Sequence, residues 1–568
     1  MSINRRDFLT LLSLSTLFPA TAKAVDVHFE TGRILNTEPY PKNNVRLLHY
    51  ANLHSQFHPI DLSHVGFDLK TKNKRLKYPN YVSGSDLMYY FGQNNRELVK
   101  FLFDPEFMSR FRDVFGQVGG YNHLSSLIYE KRNQAGFSNS LVIDGGNAWH
   151  GSYESRSSSA RDIIDLQGLM DVDLMVGSWD YNYQHQDIKL MLQNDLPTEE
   201  FKLLSNNINF KGTTQGVFQP YEIIDRGGFL ISVMGNTFPW LDHRGFEHKK
   251  YWDSKVDFKQ FQSQVDYLRS VSDLVVVSST AGWEFDVALA KNIRHIDVIF
   301  SGENNYAFPT PIIENNGFNK TLLIASGSQG KFLSVLDLEM REAGIRRFKY
   351  NLVPVLSRLE GSNPYMENAI KKMQKKVSSK GLNEELVMSN RHLSRGGHFV
   401  STLDMALSSV LYDQLDVEVV IFPRLNWGRD IVANTTITRG DLHSWFDIEE
   451  QNVFVLTLRW IELKNLLERS VEGSMNKNPF ERCYEKFLHA PNCTYTIDLT
   501  QPEGSKIQNL LINGSNDKTK SYKVGGWGLP GQSDSTLPTV IDVLEKGLKE
   551  IPILKLKKFN IPDVVWND

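Results

Sequence analysis

Residues 141–152 read LVIDGGNAWHGS. A short apolar run that ends on Asp144 and turns through Gly145-Gly146 has the form of a buried strand with polar residues at its C-terminal end. The same form recurs at VRLLHYA (45–51), VDLMVGS (172–178), FLISVMGN (229–236), DLVVVSS (273–279), IDVIFSG (296–302) and TLLIASG (321–327). Helical stretches fall between them, among them HLSSLIYEKRN (123–133) and DFKQFQSQVDYLRS (257–270). Buried strands alternating with helices predict an α/β fold with a layered sheet. In such sheets the C-terminal strand ends line the functional site.

Working outward, residues 66–115 form a polar and aromatic insertion, read as a subdomain or lid on the first domain. Residues 365–380, YMENAIKKMQKKVSSK, read as a charged helix with little apolar face, and 361–385 is taken as the interdomain connection. Beyond it, 386–568 carries its own apolar segments: STLDMALSSVLYDQL (401–415), VEVVIFP (417–423), FVLTLRWIELKNLLE (454–468) and a late strand, KSYKVGGWG (520–528). This predicts a separate, smaller α+β domain. No internal repeat is visible.

Composition agrees with two large folded domains. Of 568 residues, 41% are apolar and 23% charged, which excludes a disordered chain, a fibre and a polytopic membrane protein. With 63 basic and 66 acidic residues the net charge is −3, so the basic footprint of a nucleic-acid binder is absent.

The N-terminus reads as an address. In MSINRRDFLTLLSLSTLFPATAKA (1–24), Arg5-Arg6 precede Phe8-Leu9 and a short apolar run, and Ala22-Lys23-Ala24 forms a small-x-small cleavage site. This is the pattern of a twin-arginine export signal. The run from Phe8 to Phe18 is too short to span about 30 Å of hydrocarbon. Cleavage would remove three positive charges and one negative, leaving −5, and a periplasmic chain without a membrane anchor is expected. In an oxidising compartment Cys483 and Cys493, ten apart, are expected to close a small disulfide loop.

Two-metal phosphoesterases need oxygen and nitrogen ligands at several strand ends, including an Asp-x-His loop and a carboxylate that bridges the cations. The loops LLHYANLHSQFHP (47–59), LVIDGGNAWHGS, VGSWDYNY (176–183), LLSNNI (203–208), VVSSTAGWEFD (276–286) and FSGENNY (300–306) follow in the expected order. With VFGQVGGYNHLSSLI (114–128), GSQGKFLSVLDL (327–338), PRLNWG (423–428), ITRGDL (437–442) and YKVGGWG (522–528), the chain resembles the SoxB-type thiosulfohydrolases of the 5′-nucleotidase group of metallophosphoesterases. The resemblance runs from the export signal nearly to the C-terminus. It implies a metallophosphoesterase-like domain over 25–360 and a 5′-nucleotidase C-terminal-type domain over 386–568. For the family it implies two manganese ions and, as partner, a sulfur-carrier protein whose swinging arm enters the cleft between the domains.

The departures from the family pattern decide the function. Its Asp-x-His is Asn52-Leu53-His54 here, and its bridging Asp is Asn147. Gly-His-Trp-Glu becomes Gly177-Ser178-Trp179-Asp180. The next Asn is kept as Asn207. Ser-His-Asn-Gly becomes Ser279-Thr280-Ala281-Gly282, and Gly-Gly-His-Thr-His becomes Ser301-Gly302-Glu303-Asn304-Asn305. Two divalent cations bring about +4 of charge, which needs anionic ligands to offset it. Asn52 and Asn147 supply none, and Glu303 adds one negative charge. No cofactor is therefore expected; the alternative is one weakly bound divalent cation at His54 and Glu303.

Each candidate has a plain structural reading beside the functional one. His54 is a surviving ligand or a hydrogen-bonded remnant. His49, His58, His123 and His150 lie near the same loops, but their spacing fits no standard ligand set. Asp144 is a ligand or a strand-end cap. Asp180 and Glu303 are an acid/base pair or loop carboxylates. Trp149, Trp179 and Trp283 line the pocket or simply pack. Trp427 and Trp527 are cleft candidates of the second domain. No phosphate-binding loop, Gly-x-Ser-x-Gly turn or CxxC is present. The reading expected from these residues is a catalytically degraded relative that binds a carrier protein or a small ligand. The alternative is a hydrolase with a rebuilt one-metal site.

Overall fold

The computed structural model describes residues 44–62, 112, 115–181, 202–239, 250–341, 344–359, 361–395, 401–423, 425, 427–446, 451–476, 478–481, 487–529, 536–555 and 562–565. The export signal, most of the 66–115 insertion and Cys483 lie outside the described residues. The chain divides into two compact units: the second takes in the chain from Ser378 on together with Gly151–Tyr153, and the first holds the other described residues up to Val377.

In the first unit, β1 (Asn44–Tyr50) starts a six-stranded sheet, followed by helix α1 (Tyr121–Ala135), β2 (Ser140–Asp144), α2 (Arg161–Leu169), β3 (Leu174–Met175) and β4 (Lys202–Leu203). The second sheet holds β5 (Tyr221–Arg226), β6 (Phe229–Asn236), β7 (Leu274–Ser279), β8 (Val298–Ser301), β9 (Ile312–Asn315) and β10 (Lys320–Ala325). Helices α3 (Phe258–Val271) and α4 (Trp283–Asn292) lie between its strands in sequence. A hairpin, β11 (Phe332–Arg341) and β12 (Gly344–Pro354), returns to the first sheet, giving the orders β12-β11-β1-β2-β3-β4 and β9-β10-β8-β7-β6-β5.

All seven apolar runs singled out in this half of the sequence are strands. β1, β2, β7 and β8 are buried along their whole length, as parallel strands covered on both faces must be. The parallel registers level their C-terminal ends: Tyr50 pairs with Asp144, Asp144 with Met175, Asn236 with Ser279, and Ser279 with Ser301. The loops that follow therefore emerge together. They pack so closely that a Cβ on Gly302 would lie 2.1 Å from the carbonyl oxygen of Gly145, and one on Gly146 (φ +86°) 2.1 Å from that of Val176.

Helix α5 (Pro364–Lys376) differs from its reading as a free connection. It does have an apolar stripe, Met366, Ile370 and Met373, at helical spacing, and these are buried. The stripe packs on α1 and α2, so the helix belongs to the first unit. Asn363 caps it, accepting from the backbone of Tyr365 and Met366.

The second unit is an independent α+β body. It contains β13 (Glu385–Ser389), α6 (Thr402–Leu415), β14 (Val419–Pro423), β15 (Thr435–Thr438), α7 (Arg439–Trp445), β16 (Phe454–Arg459) and α8 (Trp460–Ser474). These are followed by β17 (Leu488–His489), β18 (Cys493–Asp498), β19 (Ile507–Ile512), β20 (Ser521–Gly526), α9 (Val540–Lys549), β21 (Ile553–Leu554) and β22 (Asp563–Val565). Its sheets run β15-β13-β21, β16-β20-β14-β17 and β19-β18-β22. Among the described residues no helix of either unit is long and apolar enough to cross a membrane.

Candidate functional site

The loops after β1, β2, β3 and β8 converge in the first unit. The first two are joined by backbone bonds: Asn52 N–H to Gly146 O at 2.8 Å and His54 N–H to Asn147 O at 2.8 Å. Asn52, His54, Ser55 and Asn147 all have φ between 47° and 57°. Asn tolerates this left-handed conformation, whereas His and Ser adopt it against a steric cost. Such strain persists only where the surroundings hold it.

Two of the positions that resemblance sets against family ligands, Asn147 and Ser178, meet with Trp179 at the carboxylate of Glu303. Asn147 Nδ2 donates to Glu303 Oε2 at 2.6 Å, Ser178 Oγ to the same oxygen at 3.3 Å, and the indole Nε1 of Trp179 to Oε1 at 2.8 Å. The second hydrogen of Asn147 Nδ2 goes to Asn52 Oδ1 at 2.9 Å, and Asn147 Oδ1 accepts from Trp179 N at 3.2 Å. Asn52 Nδ2 in turn donates to the carbonyls of Gly302 and Asn304. The amides thus satisfy one another, the backbone and Glu303.

Asp180 is committed elsewhere. Its Oδ2 accepts from the backbone of Asn147 at 2.7 Å and Ser178 at 3.1 Å, and its Oδ1 from Ala148 and Trp149, both at 2.7 Å. Burial pushes its pKa up, opposed by these four N–H donors. Both oxygens are filled, so Asp180 shapes the 147–149 loop and is not the free half of an acid/base pair. Asp144 is the expected strand-end cap. It accepts from Gly146 N at 2.8 Å and Gln167 Nε2 at 2.7 Å, and burial, reinforced by Asp180, raises it to about 7.

The remaining positions divide. Thr280 Oγ1 accepts from Phe238 N at 3.0 Å and donates to Gly177 O at 3.3 Å, tying the two sheets together. Asn207 bonds Thr237 through both ends of its amide, at 2.8 Å each, apart from the Glu303 cluster. Asn305 shares the loop of Glu303, but its Oδ1 is buried without a hydrogen-bond partner among the described residues.

The imidazoles do not gather. His54 is buried with its ring 5.1 Å from that of His150, which burial lowers to about 3. His49 stacks on Phe300 at 4.4 Å and bonds Ser326 Oγ at 2.5 Å, and burial lowers it too to about 3. His58 bonds Gln374 of α5. Trp149 donates its indole N–H to Gln167, and Trp283 packs on Phe308 at 4.7 Å. Of Trp149, Trp179 and Trp283, Trp179 is the one that bonds Glu303.

In the second unit Trp427 is buried, and Trp527 stacks on Phe422 at 4.5 Å and meets Phe446 edge-on within the hydrophobic core. This assigns Trp527 to packing. Cys493 is a free, buried thiol that burial pushes up to about 12. Its expected partner, Cys483, lies outside the described residues.

The donor set was tested against a pair of divalent cations. Among the described residues no three His, Cys, Asp or Glu side chains stand close enough to hold a metal. The one carboxylate of the cluster has both oxygens accepting hydrogen bonds, and the bridging position is a neutral amide whose N–H groups are donors. Amide N–H groups repel a cation, so these residues do not fit the two-metal group. The sequence missed that Glu303 is the hub. Its partners lie more than a hundred residues away, and no local signal reports them.

Residues 395–529 match the family model described as 5′-nucleotidase, C-terminal domain. The rat 5′-nucleotidase is 22% identical over 250 residues, 40% of this chain and 42% of that protein, so the chain spans less than half the length of this relative. The bovine 5′-nucleotidase is 20% identical over 444 residues, 72% of this chain and 75% of that one. The structure of the Thermus thermophilus sulfate thiohydrolase SoxB superposes with a TM-score of 0.83 at 23% identity, covering 94% of this chain and 98% of that one. At that identity the likeness is one of fold. Taken with the matched domain and the curated relatives, it places the chain in the 5′-nucleotidase superfamily.

Proposed function

We propose that this chain is a SoxB-like member of the superfamily that has lost the dimetal site and binds a ligand or a partner in place of hydrolysing one. The observation that carries the reading is the Asn147–Glu303 bond. The position that resemblance assigns to the bridging carboxylate donates hydrogen bonds to the carboxylate of another loop. Without a metal pair there is neither an activated hydroxide nor a clamp on the leaving group. The network is instead built to stay folded and polar without metal.

Periplasmic export through the twin-arginine signal, and a sulfur-carrier protein as partner, complete the proposal. Replacing Arg5-Arg6 by a Lys pair is expected to retain the precursor in the cytoplasm. Immobilised protein is expected to capture a carrier from periplasmic extract, and recovery of none counts against the partner. Activity is the direct test: thiosulfonate and 5′-nucleotide substrates are offered with Mn²⁺ and again with a chelator. No difference is expected. Chelator-sensitive turnover contradicts the reading.

A further inference from the structure

Three neutral donors converge on the Glu303 carboxylate from three side chains: Asn147 Nδ2, Ser178 Oγ and Trp179 Nε1. Among the described residues no Lys or Arg bonds it. A carboxylate held only by fixed dipoles marks an anion site, because the same donors would receive any oxyanion of similar size. The donors are set before anything binds. Asn147 is held by Asn52 Oδ1 and the Trp179 backbone, and Trp179 is buried.

Glu303 itself is only half-buried. Its main chain cannot yield, because Gly302 is pressed against Gly145. Its side chain can rotate outward on its own torsions. We propose that this cradle is a binding site for the oxyanion head of a monoanionic ligand, a carboxylate or a sulfonate, and that Glu303 is its built-in competitor. At rest the chain's own carboxylate fills the site. An incoming anion takes the three donors and Glu303 swings out to solvent. A side chain competes from within its own residue, so the cradle ignores dilute anions and answers to a ligand that brings further contacts.

This inference rests on the metal-free reading, so metal is measured on the same sample and all titrations contain chelator. The probes are acetate and methanesulfonate, titrated into wild type and Glu303→Ala by calorimetry. The variant is expected to bind at least one probe about tenfold or more tighter than wild type, since it removes the tethered competitor. The tighter probe identifies the head group. Adding Trp179→Phe is expected to weaken that binding again. Equal affinities in wild type and Glu303→Ala, or binding indifferent to Trp179→Phe, overturn the proposal.

Should Glu303→Ala fail to fold, wild type provides the test. Acetate or methanesulfonate, raised to molar concentration against a chloride control of equal ionic strength, must move the Trp179 indole N–H resonance; a fixed resonance with both probes overturns the proposal. Bound metal would instead sink the proposed function, whereas a metal-free protein that binds neither anion sinks only this inference.

Discussion

Asn147 Nδ2 donates to Glu303 Oε2 at 2.6 Å, across 156 residues of sequence. An amide at this position makes the contact attractive; a carboxylate would make it repulsive. Asn147→Asp therefore sets two negative groups against each other and removes a donor. In chelator it is expected to lower stability by about 1–3 kcal/mol, read by urea unfolding. A variant as stable as wild type in chelator would contradict the bond.

Asp180 accepts four backbone N–H bonds with its two oxygens. Asp180→Asn keeps one acceptor oxygen and turns an N–H₂ toward two of the donors. Leaving buried donors unpaired costs about 1–3 kcal/mol each, so a loss of about 2–5 kcal/mol is expected in urea unfolding. An acid/base residue would show the opposite: stability kept and turnover lost.

Asp286, buried at the start of α4, accepts from Ser301 Oγ at 2.5 Å, and burial raises it to about 8. Between the unfolded value near 4 and about 8, the folded state holds a proton that the unfolded state releases. Stability therefore falls as pH rises through that window. Asp144, raised to about 7, acts in the same sense. His49 and His150, both lowered to about 3, act oppositely, with stability lost as pH falls below about 6.5. Above that pH only the carboxyls remain. Asp286→Asn is thus expected to flatten the decline of melting temperature between about pH 6.5 and 8.5. Parallel profiles for variant and wild type would exclude the raised carboxyl.

Cys493 is free and its thiol is buried. A disulfide-exchange reagent is expected to leave it untouched in the native protein and to label it in urea without reductant. An unreduced, unfolded protein with no titratable thiol would show that Cys483 and Cys493 are joined.

The strands were legible because parallel strands buried on both faces read as unbroken apolar runs; FLISVMGN matches β6 residue for residue. The start of α5 was legible within one residue, but its end was read four residues too far, at 380, and its lysines hid a stripe of only three apolar residues, Met366, Ile370 and Met373. That Asn52 and Asn147 stand where the family carries carboxylates rests on resemblance alone. The cluster itself could not be read, because Glu303, Trp179 and Asn147 meet only after two sheets have brought their strand ends together. Asp180 likewise reads as an acid of unknown purpose until four backbone donors 2 to 33 residues away close around it.

The most direct measurement is the metal content, by elemental mass spectrometry, of the mature protein purified from the periplasm without chelator. Less than about 0.2 Mn, Zn or Fe per chain is expected if the two-metal mechanism is gone. One or two per chain would show that the Asn52–Asn147–Glu303 cluster rearranges around cations, and would contradict the metal-free reading outright.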